Sequence, residues 1–245
     1  MLREGSFTLA MSSGFFSFFA HAGMASALFE TGIRPAAYAG SSAGALVGAC
    51  LASGISPSEI RDEFFQLKRE DFWDPARLPV RGGLLRGRLF RERLQRLLPA
   101  TFADVEPLTI SVYDVLSRST KTRREGDLPL AVHASCCVPL MFEPVWASRR
   151  PLLDGGIADR PGLHGVAEGA PVFYHHIVSR SPWRRKGSPA LEVPKREGLS
   201  SLAIDGLPRV EPKQLDQGPI AFDAAYRATR SALHQPYARH HRVST

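Results

Sequence analysis

Ser42 stands at the centre of Gly40-Ser41-Ser42-Ala43-Gly44, a G-x-S-x-G pattern. A serine hydroxyl attacks a carbonyl when a base removes its proton and a sharp strand-to-helix turn presents it. The flanks meet the second requirement. Ala37 to Gly40 is a short β-prone piece, and a proline-free run of Ala, Leu, Val and Cys then leads to Gly54, which predicts a buried helix. Gly40 and Gly44 allow the two elements to approach closely. A plain small-residue turn would use the same residues, but the strand–turn–helix setting favours nucleophilic chemistry.

The base must come from elsewhere in the chain. The histidines are His21, His133, His164, His175, His176, His234, His240 and His241. His21 and His133 fall inside predicted helices and read as packed structural residues, and most of the others lie in a strand or the tail. His164, in a glycine-rich loop, is the one histidine that stands as a candidate base. Asp154 is the other candidate: it closes a predicted hairpin and precedes Gly155 and Gly156, which let its backbone approach another loop. Cys50, Cys136 and Cys137 have no metal-ligand spacing, two being adjacent, and read as free thiols in a reducing compartment. No metal and no cofactor is expected.

The elements that position these groups follow from the pattern. Phe7 to Met11 is a strand, Ser12 to Ser17 a small-residue turn with free amides, and Phe18 to Glu30 a helix ended by Thr31-Gly32. With the strand before Ser42 this makes a βαβ unit, so the Ser12–Ser17 turn and the serine turn lie side by side. Ser56-Pro57-Ser58-Glu59 opens a helix with a capping box. Glu70 to Gly87 is irregular, and Arg88 to Leu98 is a basic amphipathic helix, read as an ordinary surface helix over the core. Leu108 to Val115 is a buried strand with Arg118 to Arg124 as its polar partner, and Leu130 to Pro139 is a helix stopped by proline. Phe142 to Trp146 and Pro151 to Leu153 form a hairpin tipped by Arg149-Arg150. Ala170 to Val178 is a core strand, Arg180 to Gly198 a basic loop, Leu199 to Ile204 a short edge strand and Gln217 to Leu233 a helix. His234 to Thr245 is a tail that frays.

Composition sets the class. The chain has 245 residues, 44% of them hydrophobic and 22% charged, enough for one sizeable core. Its net charge of +7 suits an anionic surface, phospholipid headgroups among them. The basic residues lack the aromatic interleaving of a nucleic-acid module, so nucleic acid is not expected. The Phe7–Phe29 run is broken by Ser12, Ser13, Gly14, Ser17 and His21, and it reads as neither a membrane span nor a signal peptide. A cytoplasmic protein, peripheral at a membrane, is the expectation.

Three separated motifs, in order, resemble the bacterial patatin-like phospholipase family, lipid acyl hydrolases with a Ser-Asp dyad and no histidine. Gly40 to Gly44 is similar to the family's nucleophile elbow. Asp154-Gly155-Gly156 resembles its D-G-G/A motif, where the aspartate is the base. Ala134-Ser135-Cys136-Cys137-Val138-Pro139, with Phe142 and Pro144, resembles its A-S-x-x-x-P-x-x-F-x-P segment. The likeness runs from Phe7 to Pro161. It implies a three-layer α/β/α patatin-like (FabD/lysophospholipase-like) fold with a central, mostly parallel sheet, as one domain over 1–245 with a basic loop at 180–198 and a tail at 235–245.

The resemblance also implies the chemistry. Ser42 and Asp154 would be catalytic, and the amides of Ser13, Gly14, Phe15 and Ala43 would form the oxyanion hole. Phe15 and Phe16 would line an acyl-chain groove. The substrate would be a lipid or fatty-acyl ester, met through transient peripheral membrane contact. One loop departs from the pattern: Ser12-Ser13-Gly14-Phe15-Phe16-Ser17 stands where the family has G-G-G-x-R-G. Any serine forced to positive φ there would cost roughly 1 kcal/mol or more. A patatin-like module with weak or no activity, binding lipid or protein, is therefore the alternative.

Overall fold

Strand alternation sends the residues of each β-strand to opposite faces, and here the two faces carry different loads. The protein is described from a computed structural model covering residues 6–76, 82–178, 187–235 and 239–245. The strands are β1 (Thr8–Met11), β2 (Ala37–Ser41), β3 (Gly83–Leu85), β4 (Leu108–Asp114), β5 (Ser119–Arg123), β6 (Leu140–Phe142), β7 (Val145–Ala147), β8 (Arg150–Asp154), β9 (Val172–Ile177), β10 (Leu199–Asp205) and β11 (His240–Ser244). The helices are α1 (Phe18–Glu30), α2 (Ala43–Ala52), α3 (Pro57–Phe65), α4 (Arg88–Leu97), α5 (Leu128–Ser135) and α6 (Gln217–His234). Leu9, Met11, Tyr38 and Phe173 join the large core that holds the buried side chains of all six helices. Their neighbours Ala10, Ala39, Val172 and Tyr174 enter a smaller cluster with Leu163 and Leu199.

The sheet runs β11-β10-β9-β1-β2-β4-β8-β7, with β5 also paired to β4. From β11 to β4 every pairing is parallel, and β5, β8 and β7 are added antiparallel. This is the mostly parallel sheet with flanking helices that the sequence implied. The first βαβ unit is as expected: α1 spans Phe18–Glu30, and Gly32 takes φ 78° just past its end. The capping box of α3 is present, with Ser56 accepting from the Glu59 amide and Glu59 from the Ser56 amide.

Four expectations change. The tail does not simply fray: His240–Ser244 pairs in parallel with β10, and Arg242 bonds Asp205 at 2.8 Å. The edge of β10 is thereby covered, so β10 lies inside the sheet and not at its rim. The hairpin is shorter than expected, joining only β7 to β8 through Ser148 and Arg149, both at positive φ. Phe142 belongs instead to β6, which pairs in parallel with β3 in a separate two-stranded sheet. Of the expected basic loop at 180–198, residues 180–186 lie outside the described residues. Its later part is tied down, with Arg196 donating to the Val166 carbonyl at 2.7 Å.

Candidate active site

β4 is the ruler on which the site is laid out. It pairs with β2 up to Ser41 opposite Ser111, and with β8 from Asp154 opposite Val112. Because β5 pairs with Ile110–Asp114, β2 and β8 must share the other edge of β4, end to end. β2 runs parallel to β4 and β8 antiparallel, so their C-terminal ends meet head-on. Adjacent positions on one strand are only about 3.3 Å apart along it. Residues more than a hundred positions apart in sequence are thus brought to one point. The C-terminal ends of parallel strands are also where open α/β sheets bind ligands.

Ser42 turns the chain from β2 into α2 with φ 53° and ψ −119°, a conformation ordinarily left to glycine. The turn is held on several sides. The Ser42 amide donates to the Ser135 hydroxyl at 2.8 Å, and that hydroxyl donates to the Ser111 carbonyl at 2.7 Å. A Cβ on Gly44 would sit 2.0 Å from the Met11 carbonyl oxygen, and one on Gly40 2.5 Å from the Gly44 backbone. Both glycines are therefore required for β1, β2 and α2 to meet. Ser42 caps the positive end of α2, where a developing anion is favoured.

Asp154 is buried beside it. Loss of solvent pushes its carboxyl up to about 6, against hydrogen bonds from the Ser42 side chain and the Gly156 amide that hold it down. The Gly156 amide lies 2.7 Å from Oδ1, and the Asp154 amide bonds the Cys137 carbonyl at 2.9 Å. Gly155 fits where a Cβ would touch the Ser111 carbonyl oxygen at 2.1 Å. A carboxyl near 6 next to a hydroxyl on a helix N-terminus can accept a proton at neutral pH. The Ser42 side chain also reaches the Cys136 thiol, whose own ionisation is driven far up by burial. The cysteine therefore stays protonated there.

The Ser12–Ser17 loop lies against this turn, but not all of its amides are free. Ser13, expected to donate to an oxyanion, gives its amide to the Arg160 carbonyl at 2.8 Å. The amides of Gly14, Phe15 and Ala43 have no acceptor among the described residues. Ser12 and Ser13 sit at negative φ, so the glycine-to-serine departures cause no backbone strain; the positive φ falls on Phe16, at 52°. Beneath the loop, His21 donates Nε2–H to the Ser12 carbonyl at 2.8 Å and contacts His175 Nδ1 through its own Nδ1, also at 2.8 Å. His164, the candidate histidine, is exposed, and its backbone amide bonds Asp159. It does not join Ser42.

An apolar cavity of about 110 Å³ opens at Ser42. Gly14, Phe15, Phe16, Phe18, Ala43 and Leu46 form one side, and Phe64, Leu67 and Phe72 another. Phe90, Leu94 and Leu97 of α4 complete it with Cys136, Val138, Met141 and Phe142. α4 therefore does more than cover the core: its apolar side is a wall of the cavity. Asp74 fixes its start, accepting the Gly87, Arg88 and Leu89 amides. Arg93, the one charged residue of the lining, bonds Glu63 at 2.8 Å and Asp71 at 2.9 Å.

A model of the patatin-like phospholipase family matches residues 9–167. The chain belongs to the patatin-like phospholipase family. Among solved structures it is similar to VipD from Legionella pneumophila, with a TM-score of 0.65 at 14% identity. The match covers 93% of this chain and 66% of that one, so the chain spans just under two-thirds of VipD, and the likeness is one of fold. This patatin-like chain carries site residues that motif reading did not single out. Ser135 was visible within the A-S-x-x-x-P segment, though its bond to the Ser42 amide was not. Ser111 and Asp159, joined at 2.6 Å beneath Gly155, had no sequence signal, and neither did the α4 wall.

Proposed function

We propose that this protein is a serine acyl hydrolase that cleaves carboxylic ester bonds of lipids, of phospholipase or lysophospholipase type. The observation that carries the reading is the head-on meeting of β2 and β8, which sets Asp154 beside Ser42 at the mouth of an apolar cavity. Asp154 takes the proton as Ser42 Oγ attacks the acyl carbonyl, and the carbonyl oxygen becomes the anion. The amides of Gly14, Phe15 and Ala43 are placed to hold it, and collapse of the tetrahedral intermediate expels the alcohol, which takes the proton from Asp154. Water, deprotonated by Asp154, then releases the fatty acid from Ser42. Phe15, Phe16 and Phe18 receive the acyl chain.

We take 1–245 as one patatin-like domain, in the cytoplasm on the strength of its free thiols Cys50, Cys136 and Cys137, with transient peripheral membrane contact. Among the described residues no helix is long and apolar enough to cross a membrane. The test is hydrolysis of medium-chain nitrophenyl esters and of phospholipid vesicles. Wild type should release product and Ser42→Ala should not; equal release would end the reading. A second reading, a weakly active or non-catalytic binding module, draws on the Ser13 amide being spent on Arg160. Its mark would be lipid binding with a Ser42 that never turns over.

A further inference from the structure

Large exposed apolar side chains are unusual when grouped, and four of them gather around one opening. Phe15 (44% exposed) lines the cavity itself. Trp73 (36%) follows Phe72, and Leu140 (63%) precedes Met141, both neighbours being cavity residues. Leu84 (66%) lies on β3, whose flanking residues pair with Leu140 and Phe142 of β6. The segment carrying Trp73 is tied to the same sheet, since the Ala76 amide bonds the Leu84 carbonyl at 2.8 Å. The first loop joins through ring contacts, Phe15 edge-on to Phe16 and Phe16 tilted against Phe72.

Two further features separate this rim from chance exposure. Leu140 is held at φ 65°, a backbone conformation that favours glycine, and still presents a leucine to water. Arg86 is exposed just past Leu84 and Leu85, and no ion pair among the described residues takes its guanidinium. Apolar side chains beside the exposed Arg86 guanidinium, on a chain of net charge +7, match a bilayer of apolar tails under anionic headgroups.

We propose that Leu84 and Leu140, with Trp73 and Arg86 beside them, form a docking rim that inserts into an anionic phospholipid bilayer and sets the cavity mouth at its surface. The proposal rests on the lipid-hydrolase reading for its purpose, but not for its measurement. Co-sedimentation with vesicles reads the rim, and hydrolysis of a short soluble ester reads the catalytic site. Wild type and Ser42→Ala should both pellet with phosphatidylcholine–phosphatidylglycerol vesicles, and less with phosphatidylcholine alone. Leu84→Asp and Leu140→Asp should each weaken that binding at least about tenfold, from the lost burial of a leucine, with soluble-ester hydrolysis unchanged. Arg86→Glu should remove the preference for the anionic vesicle. Leu140→Gly gives a control for folding, because it relieves the positive φ: it should melt no lower than wild type and yet bind vesicles less. Wild type that stays in the supernatant, or aspartate variants that pellet like wild type, would overturn the rim. Vesicle binding without any ester hydrolysis would leave the rim standing and sink the hydrolase.

Discussion

Burial of Asp154, the candidate base, acts at the expense of the fold. Burial pushes its carboxyl up to about 6, above the ordinary aspartate value of 3.8. Between those values the native state binds more protons than the unfolded chain, so stability falls as pH rises through that window. That difference sets an upper bound of about 3 kcal/mol at neutral pH. Asp154→Asn should therefore unfold at higher denaturant than wild type at pH 8, by ~1–3 kcal/mol, with the gain gone below the unfolded value. The same shift fixes the kinetics: kcat/KM should rise with pH through a limb near 6, and Asp154→Asn should cut it by ~10³ or more. Ser135→Ala leaves the buried Ser42 amide without its acceptor and should cost ~1–3 kcal/mol in denaturant unfolding. Both catalytic candidates were legible as motifs because glycines flank them for steric reasons. The commitment of the Ser13 amide was not, since its acceptor, Arg160, is contributed by a distant loop.

At the scale of elements, what matters is that β4 accepts β2 and β8 on one edge with no gap between them. Gly44 is the tightest contact beside that arrangement, where an added Cβ would lie 2.0 Å from the Met11 carbonyl oxygen. Gly44→Ala would force β1 and α2 apart, and should destabilise by more than ~2 kcal/mol and lower kcat before it changes KM; thermal melts and steady-state kinetics read the two effects. Elements with strong patterns, α1, α3, β4 and β9, were legible from apolar spacing and caps. β11 was not, because His240-His241-Arg242-Val243-Ser244 shows solvent a polar strand whose pairing comes from the open edge of β10. β3 and β6 are three residues each, too short for any period to declare itself. Met141 and Phe142 of β6 line the cavity, and β3 pairs with that strand.

Across the whole molecule, acid sensitivity follows from histidines buried in the neutral form. Desolvation lowers His21, His133 and His176 to about 4, and holds His175 well below the ordinary histidine value. Unfolded histidines take up protons below about 6.5 while these do not, so stability should fall as pH drops from 6.5 towards 4. This opposes the Asp154 effect and outweighs it by number. His133 is the weakest member: neither ring nitrogen has a hydrogen-bond partner among the described residues, and a Cβ on Gly87 would lie 2.4 Å from its Nε2. His133→Leu should stabilise the protein by ~1 kcal/mol at pH 8 and by more at pH 5, measured by urea unfolding at each pH. The sheet's parallel core could be expected from the sequence, whereas the long-range contacts that place histidines in pairs could not.

Reaction of Ser42 with a fluorophosphonate, located by mass spectrometry across a pH series, tests most directly whether Asp154 activates it. The label should appear on Ser42 with a rate that climbs through pH 6 and collapses in Asp154→Asn. A folded wild type unlabelled at Ser42, or an Asp154→Asn variant labelled at the wild-type rate, would contradict the dyad.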